Sequence, residues 1–319
     1  MEWNQSRVED KIGINFKKSE LLYLAMIHPS YAQQTGEPEN NNQRLELLGE
    51  AIINLVVVDY LYNNCPYLEV SKLSALRDKI VEEERLTKLW FQLGLGDAYP
   101  FLALKDDRYL LRQRRKNPFQ DALKALVGAI HIDRGFSQAR NWLKKHLIAP
   151  LLERHLKKIK ERSSVDKQLK FLGNPLFKAI ETDYLYRHLP EVEPSKLINL
   201  SKKLVSKERR TDYLNQLTTE DWGLIPQEYE NAYKKSFNAL LAAIYLHFGS
   251  GKSKSDFKKT GDWFAERFVN EDEVLKSAIA LLLKDGKPQK WIIRNVMGYE
   301  SKRYNEGKER FKELIGETE

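Results

Sequence analysis

Apolar residues recur at i, i+3 and i+4 along most of this 319-residue chain, and proline and glycine are sparse. The stretch Ala51 to Tyr62 is apolar nearly all round, which predicts a buried central helix. Its β-branched residues (Ile52, Ile53, Val56, Val57, Val58) make a buried strand the competing assignment; the unbroken length argues against it. Leu73 to Leu93, Ala122 to Ile132 and Gln138 to Leu152 read as further helices. The predicted fold class is all-α.

The same pattern returns later in the chain. Asn42-Gln43-Arg44-Leu45-Glu46-Leu47-Leu48-Gly49-Glu50 comes back, decayed, as Lys167-Gln168-Leu169-Lys170-Phe171-Leu172-Gly173-Asn174. At an offset of 124, residues 45–73 match residues 169–197 at 12 of 29 positions, with Asp59-Tyr60-Leu61-Tyr62 repeated at Asp183-Tyr184-Leu185-Tyr186. Further on the offset falls to 114, where Ala125 to Ile130 match Ala239 to Ile244 and Gly135 matches Gly249. Collinear matches across two blocks with one gap predict an internal duplication.

The chain therefore divides into three. Residues 1–155 form a first domain, residues 163–270 a second, and residues 271–319 a small C-terminal unit. A basic helix-forming linker, His155 to Arg162, joins the first two. In the tail, Val274 to Leu283 predicts one helix. Pro288 suits the first position of a second, whose buried face is Trp291, Ile292, Ile293 and Val296. Gly298 ends it, and Ser301 to Ile315 makes a third. The spacing suits a helix-turn-helix-like unit, in which Lys302, Arg303, Lys308, Arg310 and Lys312 are either phosphate contacts or a solvated face.

Composition narrows the partners. The net charge is +8 and the pI about 9.2, with 31% charged residues, which favours a polyanion, nucleic acid first. Cys65 is the only cysteine, so neither a disulfide framework nor a CxxC zinc site is expected. No stretch has the length of a membrane span, and the first residues do not read as a signal peptide, so a cytoplasmic protein without a membrane partner is expected.

Candidate chemistry sits in the repeated element. Glu46 and Glu50 are four residues apart and share a helix face. The opening Ile12-Gly13-Ile14-Asn15-Phe16 with Leu21-Leu22 and His28-Pro29-Ser30-Tyr31, then Gln43 to Ala51, Leu73-Ser74-Ala75-Leu76-Arg77, Leu93-Gly94-Leu95-Gly96 and Asp121 to Ile130, occur in one order. Over about residues 5–150 this closely resembles the ribonuclease III catalytic domain, and through the duplication the resemblance reaches about residues 165–268. The resemblance implies four carboxylates that hold Mg2+, which activates water against a phosphodiester of double-stranded RNA. Carried over, those positions are Glu46, Glu50 in place of the usual aspartate, Asp121, and Lys124 in place of the usual glutamate. A preceding glutamate of the signature is Gln43. In the second copy the four positions are Lys170, Asn174, Lys235 and Asn238, with no carboxylate.

Lys124 weighs against catalysis. A fixed ammonium about 5 Å from a divalent ion costs up to roughly 6–7 kcal/mol at an effective dielectric of about 20. Turned inward, it is expected to pair with Asp121 or Glu46 and stand in for the metal. Other roles are open for the same residues: Glu46 and Glu50 as helix-surface acids, Asp121 as a helix N-cap, His28 as a turn-fixing residue, His131 as a core or interface residue.

The resemblance also implies a dimer-like pairing, here between two copies in one chain: an intramolecular pseudodimer, and so a monomer, cradling A-form RNA by shape. Its basic candidates are Arg112, Arg114, Arg115 and Lys116 in the first copy and Lys202, Lys203, Lys207, Arg209 and Arg210 in the second. The expected function is a non-catalytic protein that binds structured or double-stranded RNA without a cofactor, alone or within a ribonucleoprotein. It is similar in plan to an organellar group II intron splicing factor with two such domains. The alternatives are a Mg2+-dependent double-stranded-RNA endoribonuclease using Glu46, Glu50 and Asp121, and a ribosome-associated structural protein.

Overall fold

A computed structural model describes residues 3–96, 99–102, 117–152, 165–205, 207–215, 236–249 and 256–316. These residues are all-α: helices with no strand among them, and one isolated bridge between Ile27 and Phe101. They fall into two compact units, one of residues Met1–Ala179 with Gln216–Thr260, the other of Ile180–Asn215 with Gly261–Glu319.

The first unit is organised around the helix Gln43–Asn64. Leu45, Leu48, Ile52, Leu55, Val56, Val57 and Val58 are fully buried in it. Each large aliphatic side chain removed from water contributes about 1.5–3 kcal/mol, which outweighs the few tenths that β-branching costs a helix. The helix Pro118–Arg134 lies against it and buries Ala122, Leu123, Ala125, Leu126, Val127 and Ile130. Asn117 caps that helix by accepting the Phe119 N–H at 3.1 Å, with Pro118 in the first turn, so Asn117 and not Asp121 is the N-cap. The two axes approach closely because glycines stand at the crossing. A methyl group on Gly49 would overlap the Lys124 carbonyl, and one on Gly128 would overlap that of Leu45.

The stretch Leu73 to Leu93 is two helices, Val70–Ile80 and Glu83–Gln92. Glu82 between them takes an extended backbone (φ −57°, ψ 139°). Acids at 82–84 favour a helix N-terminus there. The Gln138 to Leu152 segment starts earlier, as Phe136–Leu143, and continues through a π-helical turn, Lys144–Ile148, into Ala149–Leu152. His28 caps the helix Pro29–Gln34, its Nδ1 taking the Ser30 N–H at 3.2 Å. His131 is buried, edge-on to Phe136 and Phe257.

Residues 165–179 and 236–260 complete this unit. The helix Val165–His188 runs through Pro175 and repeats the buried pair as Leu169 and Leu172. A methyl group on Gly173 would overlap the carbonyl of Asn238 in the helix Phe237–His247, the same crossing as Gly49 on Lys124. Gln168 donates to the Pro66 carbonyl at 2.8 Å. Phe257 stacks on Phe136 with centroids 4.6 Å apart. Beside them Arg140 and Asp256, 4% and 0% exposed, form a buried ion pair at 2.8 Å. Tyr245, in the same cluster, has its phenol held well above the ordinary value, by burial first and then by Asp59 and Asp256.

In the second unit the helices Pro194–Leu204 and Lys207–Asn215 accompany the three of the tail: Glu271–Lys284, Gln289–Asn295 and Tyr304–Ile315, the last preceded by a 3-10 turn at Ser301–Arg303. Tyr213 packs on Trp263 and Phe268. Asn270 caps the first tail helix through the N–H groups of Asp272 and Glu273. Pro288 is the N-cap of the second tail helix rather than its first residue, and Ile292, Ile293 and Val296 are its buried side; Trp291 is half-buried. No helix among the described residues is long and apolar enough to cross a membrane.

Candidate functional site

The site grows from the crossing of Gln43–Asn64 with Pro118–Arg134. Glu46 is half-buried in the first turn of one helix and Asp121 in the first turn of the other. A carboxylate in a first turn is favoured by the helix dipole whatever else it does. Glu50 lies one turn beyond Glu46 and Lys124 nearly one turn beyond Asp121. Lys124 Nζ lies 3.3 Å from Glu50 Oε2, with side chains 12% and 52% exposed. The sequence predicts Asp121 or Glu46 as the partner of Lys124; the structure pairs it with Glu50, across the crossing.

The sequence offsets match the positions of Glu50 and Lys124 to Asn174 and Asn238. The Asn238 side-chain amide donates to Asn174 Oδ1 at 2.7 Å. The positions that the two sequence offsets match are thus bonded to each other in both places, once as an ion pair and once as an amide pair. Sequence reasoning missed this pairing. The signal for it was the two offsets, which carry 50 to 174 and 124 to 238. Of the other second-copy positions, Lys170 is exposed and Lys235 lies outside the described residues.

A divalent cation needs several hard oxygen donors turned on one point. Among the described residues no group of three or more His, Cys, Asp or Glu is placed to hold a metal ion. Glu50 gives an oxygen to an ammonium, and the second copy offers amides at 174 and 238. These residues do not fit Mg2+.

The basic candidates divide. Arg112, Arg114, Arg115 and Lys116 lie outside the described residues. Lys202 is exposed on the helix Pro194–Leu204, which also carries Lys203. Lys207, Arg209 and Arg210 share the helix Lys207–Asn215, where Arg209 lies 3.9 Å from Glu273 and Arg210 is half-buried. In the tail, Lys302 and Lys308 are exposed, Arg303 pairs with Glu306, Arg310 with Asp272 and Glu313, and Lys312 with Glu309.

Comparison with known proteins agrees with the first-copy architecture. The Ribonuclease-III-like family profile matches residues 18–151. Through that segment the chain belongs to the ribonuclease III family. Ribonuclease 3 of Borreliella burgdorferi is 34% identical over 138 residues, which cover 43% of this chain and 56% of that protein. Ribonuclease 3 of Syntrophomonas wolfei is 36% identical over 143 residues, 45% of this chain and 60% of that one. The chain thus spans between half and two thirds of the length of these two relatives. The nuclease domain of ribonuclease III from Campylobacter jejuni is similar at 32% identity, covering 46% of this chain and 97% of that one, with a TM-score of 0.39. Within this family segment the position carried over as the fourth carboxylate is Lys124, on a helix whose packing is intact.

Proposed function

We propose that this protein is a non-catalytic member of the ribonuclease III family that binds structured or double-stranded RNA through a pseudodimer of its two copies. The observation that carries the reading is the bonded pair at equivalent positions, Glu50 with Lys124 and Asn174 with Asn238. Each pair satisfies its own charge or hydrogen bonds without a metal. Each retained carboxylate also has a structural occupation: Glu46 and Asp121 in first turns, Glu50 opposite Lys124. Their retention therefore does not argue for cleavage. The relatives' name, Ribonuclease 3, supports RNA as the ligand class. The net charge of +8 supports it too.

A pseudodimer is supported by the contacts of residues 165–179 and 236–260 with the first copy, above all Arg140 with Asp256 and Phe136 with Phe257. Such a platform reads A-form shape through phosphates and 2′-hydroxyls and requires no metal ligands. The RNA served in the cell is a structured one, in intron splicing or RNA folding.

The test is incubation of the full chain with a blunt RNA duplex, with and without Mg2+ or Mn2+. Binding without cleavage, weakening steeply as salt rises, is the expected result. Metal-dependent cleavage that Glu46→Gln abolishes would overturn the non-catalytic reading in favour of an endoribonuclease.

A further inference from the structure

The C-terminal unit carries a surface that the duplex-binding reading does not use. Between Lys284 and Tyr304 stand six lysines and arginines against two carboxylates, and one of those, Asp285, is held by Lys196. Three aromatic residues, Trp291, Tyr299 and Tyr304, are half-buried in the same segment, each with a cation over its ring. Lys287 Nζ lies 4.7 Å from the Trp291 centroid, the Arg303 guanidinium 5.2 Å from that of Tyr299, and the Arg294 guanidinium 5.8 Å from that of Tyr304.

The local fold explains why these rings come to the surface. Ile292, Ile293 and Val296 take the buried side of the helix Gln289–Asn295, leaving Trp291 and the exposed Lys290 and Arg294 away from it. After the helix, Gly298 turns the chain at φ 72°, and the Met297 and Tyr299 N–H groups bond back to the Ile292 and Ile293 carbonyls. Tyr299 then rests on Gly307. A Cβ there would lie 2.6 Å from Tyr299 Cγ and 2.7 Å from Ile293 Cγ2, so Tyr299 is held in place before any ligand arrives.

We propose that Lys287 to Tyr304 is a docking strip for unpaired RNA, whose bases stack on Trp291, Tyr299 and Tyr304 while Lys287, Lys290, Arg294 and Arg303 meet the phosphates. It deepens the RNA-binding reading above and rests on it. Aromatic platforms interleaved with cations are what a single strand requires, since every base has a stacking face and every nucleotide a charge. A duplex hides those faces, so this strip serves single-stranded segments flanking a helix. The exchange runs in the ligand's favour. An exposed cation on a ring is worth roughly two- to fivefold in an equilibrium. A base stacked on an aromatic ring is worth roughly five- to a hundredfold. A base that takes the Trp291 face displaces Lys287 from the ring towards the adjacent phosphate. The Arg303–Glu306 pair is exposed and is exchanged for phosphate at little cost.

The last helix is the weaker candidate within the same unit. Its Arg310 is tied to Asp272 and Glu313 and its Lys312 to Glu309. Two of its cations are thus tied to carboxylates, whereas for the cations within Lys284 to Tyr304 the ion pair described is the exposed one of Arg303 with Glu306.

The test uses the full chain and two labelled probes at one salt concentration, an oligouridylate of about 12 nucleotides and a blunt RNA duplex, read by fluorescence anisotropy. Trp291→Ala and Tyr304→Ala are each expected to weaken oligouridylate binding about tenfold, Trp291→Phe to keep most of it, and none to change duplex affinity. If Trp291→Ala lowers the thermal midpoint, the exposed pair Lys287→Glu and Lys290→Glu tests the same strip, with the same loss expected. Duplex binding without oligouridylate binding would overturn the strip and leave the RNA-binding reading intact. So would oligouridylate binding that neither set of variants weakens, or that polyglutamate displaces as well as unlabelled oligouridylate does. Absence of binding to either probe would remove both proposals.

Discussion

At the crossing of Gln43–Asn64 with Pro118–Arg134 the first copy places an ammonium against a carboxylate, Lys124 on Glu50. At the crossing of Val165–His188 with Phe237–His247, Asn238 bonds Asn174. The backbones at the two crossings meet in the same way, glycine against a carbonyl, Gly49 on Lys124 and Gly173 on Asn238. Packing and chemistry have thus separated. Close helix contact tolerates no Cβ at either glycine. The two side chains beside it have only to satisfy one another. Two carboxylates at such a contact would repel without a cation; Glu50 with Lys124 and Asn174 with Asn238 do not.

The comparison can be broken most forcibly where Phe136–Leu143 meets Asp256–Phe268. Arg140→Ala removes the ion-pair partner of Asp256, which is 0% exposed. The expected loss is about 3–5 kcal/mol, read by urea unfolding. Retention of full stability would mean that residues 236–260 do not depend on this anchor. Next come the glycines. Gly49→Ala and Gly173→Ala force each crossing apart and are each expected to cost about 3 kcal/mol. If only the first did so, the second crossing would not be the equivalent of the first.

Lys124→Glu sharpens the chemical half of the comparison. It sets a carboxylate against Glu50, whose side chain is 52% exposed, so after screening the expected loss is about 1–2 kcal/mol. Adding Mg2+ should raise the thermal midpoint of this variant and leave wild type unmoved. A Mg2+ response in wild type would contradict the metal-free reading of the pair. The smallest effect is expected at the amide pair. Asn238→Ala removes one partly exposed hydrogen bond, worth about 0.5–1 kcal/mol. A loss several times larger would give the pair a packing role that its geometry does not suggest.

Much of this was legible from the residues. The buried central helix followed from the apolar run at Ala51 to Tyr62, and the all-α class from periodicity. Family membership followed from motifs in order. Element boundaries followed less well. Glu82 breaks a stretch whose apolar spacing is continuous, because the backbone there extends to start a new helix. Asp121 had the residue type of an N-cap and lost that place to Asn117, four residues earlier, since a cap is defined by backbone geometry and not by side-chain chemistry alone. Lys124 meets Glu50 rather than Asp121 on its own helix or Glu46 on the facing one, because the crossing sets which turn of Gln43–Asn64 lies opposite it.

By itself the sequence determined that Glu46, Glu50 and Asp121 stand with Lys124, that Lys170, Asn174, Lys235 and Asn238 stand at the positions the offsets match to them, and that the apolar frame of Leu45, Leu48 and Gly49 returns as Leu169, Leu172 and Gly173. These are matters of residue identity and period, which local chemistry makes readable. Only the tertiary structure decided that 50 meets 124 and 174 meets 238, that Arg140 finds Asp256, and that Trp291, Tyr299 and Tyr304 come to the surface together with their cations. Those are contacts between elements distant in sequence or turned by a loop. Their energies depend on distance and burial, which no periodicity encodes.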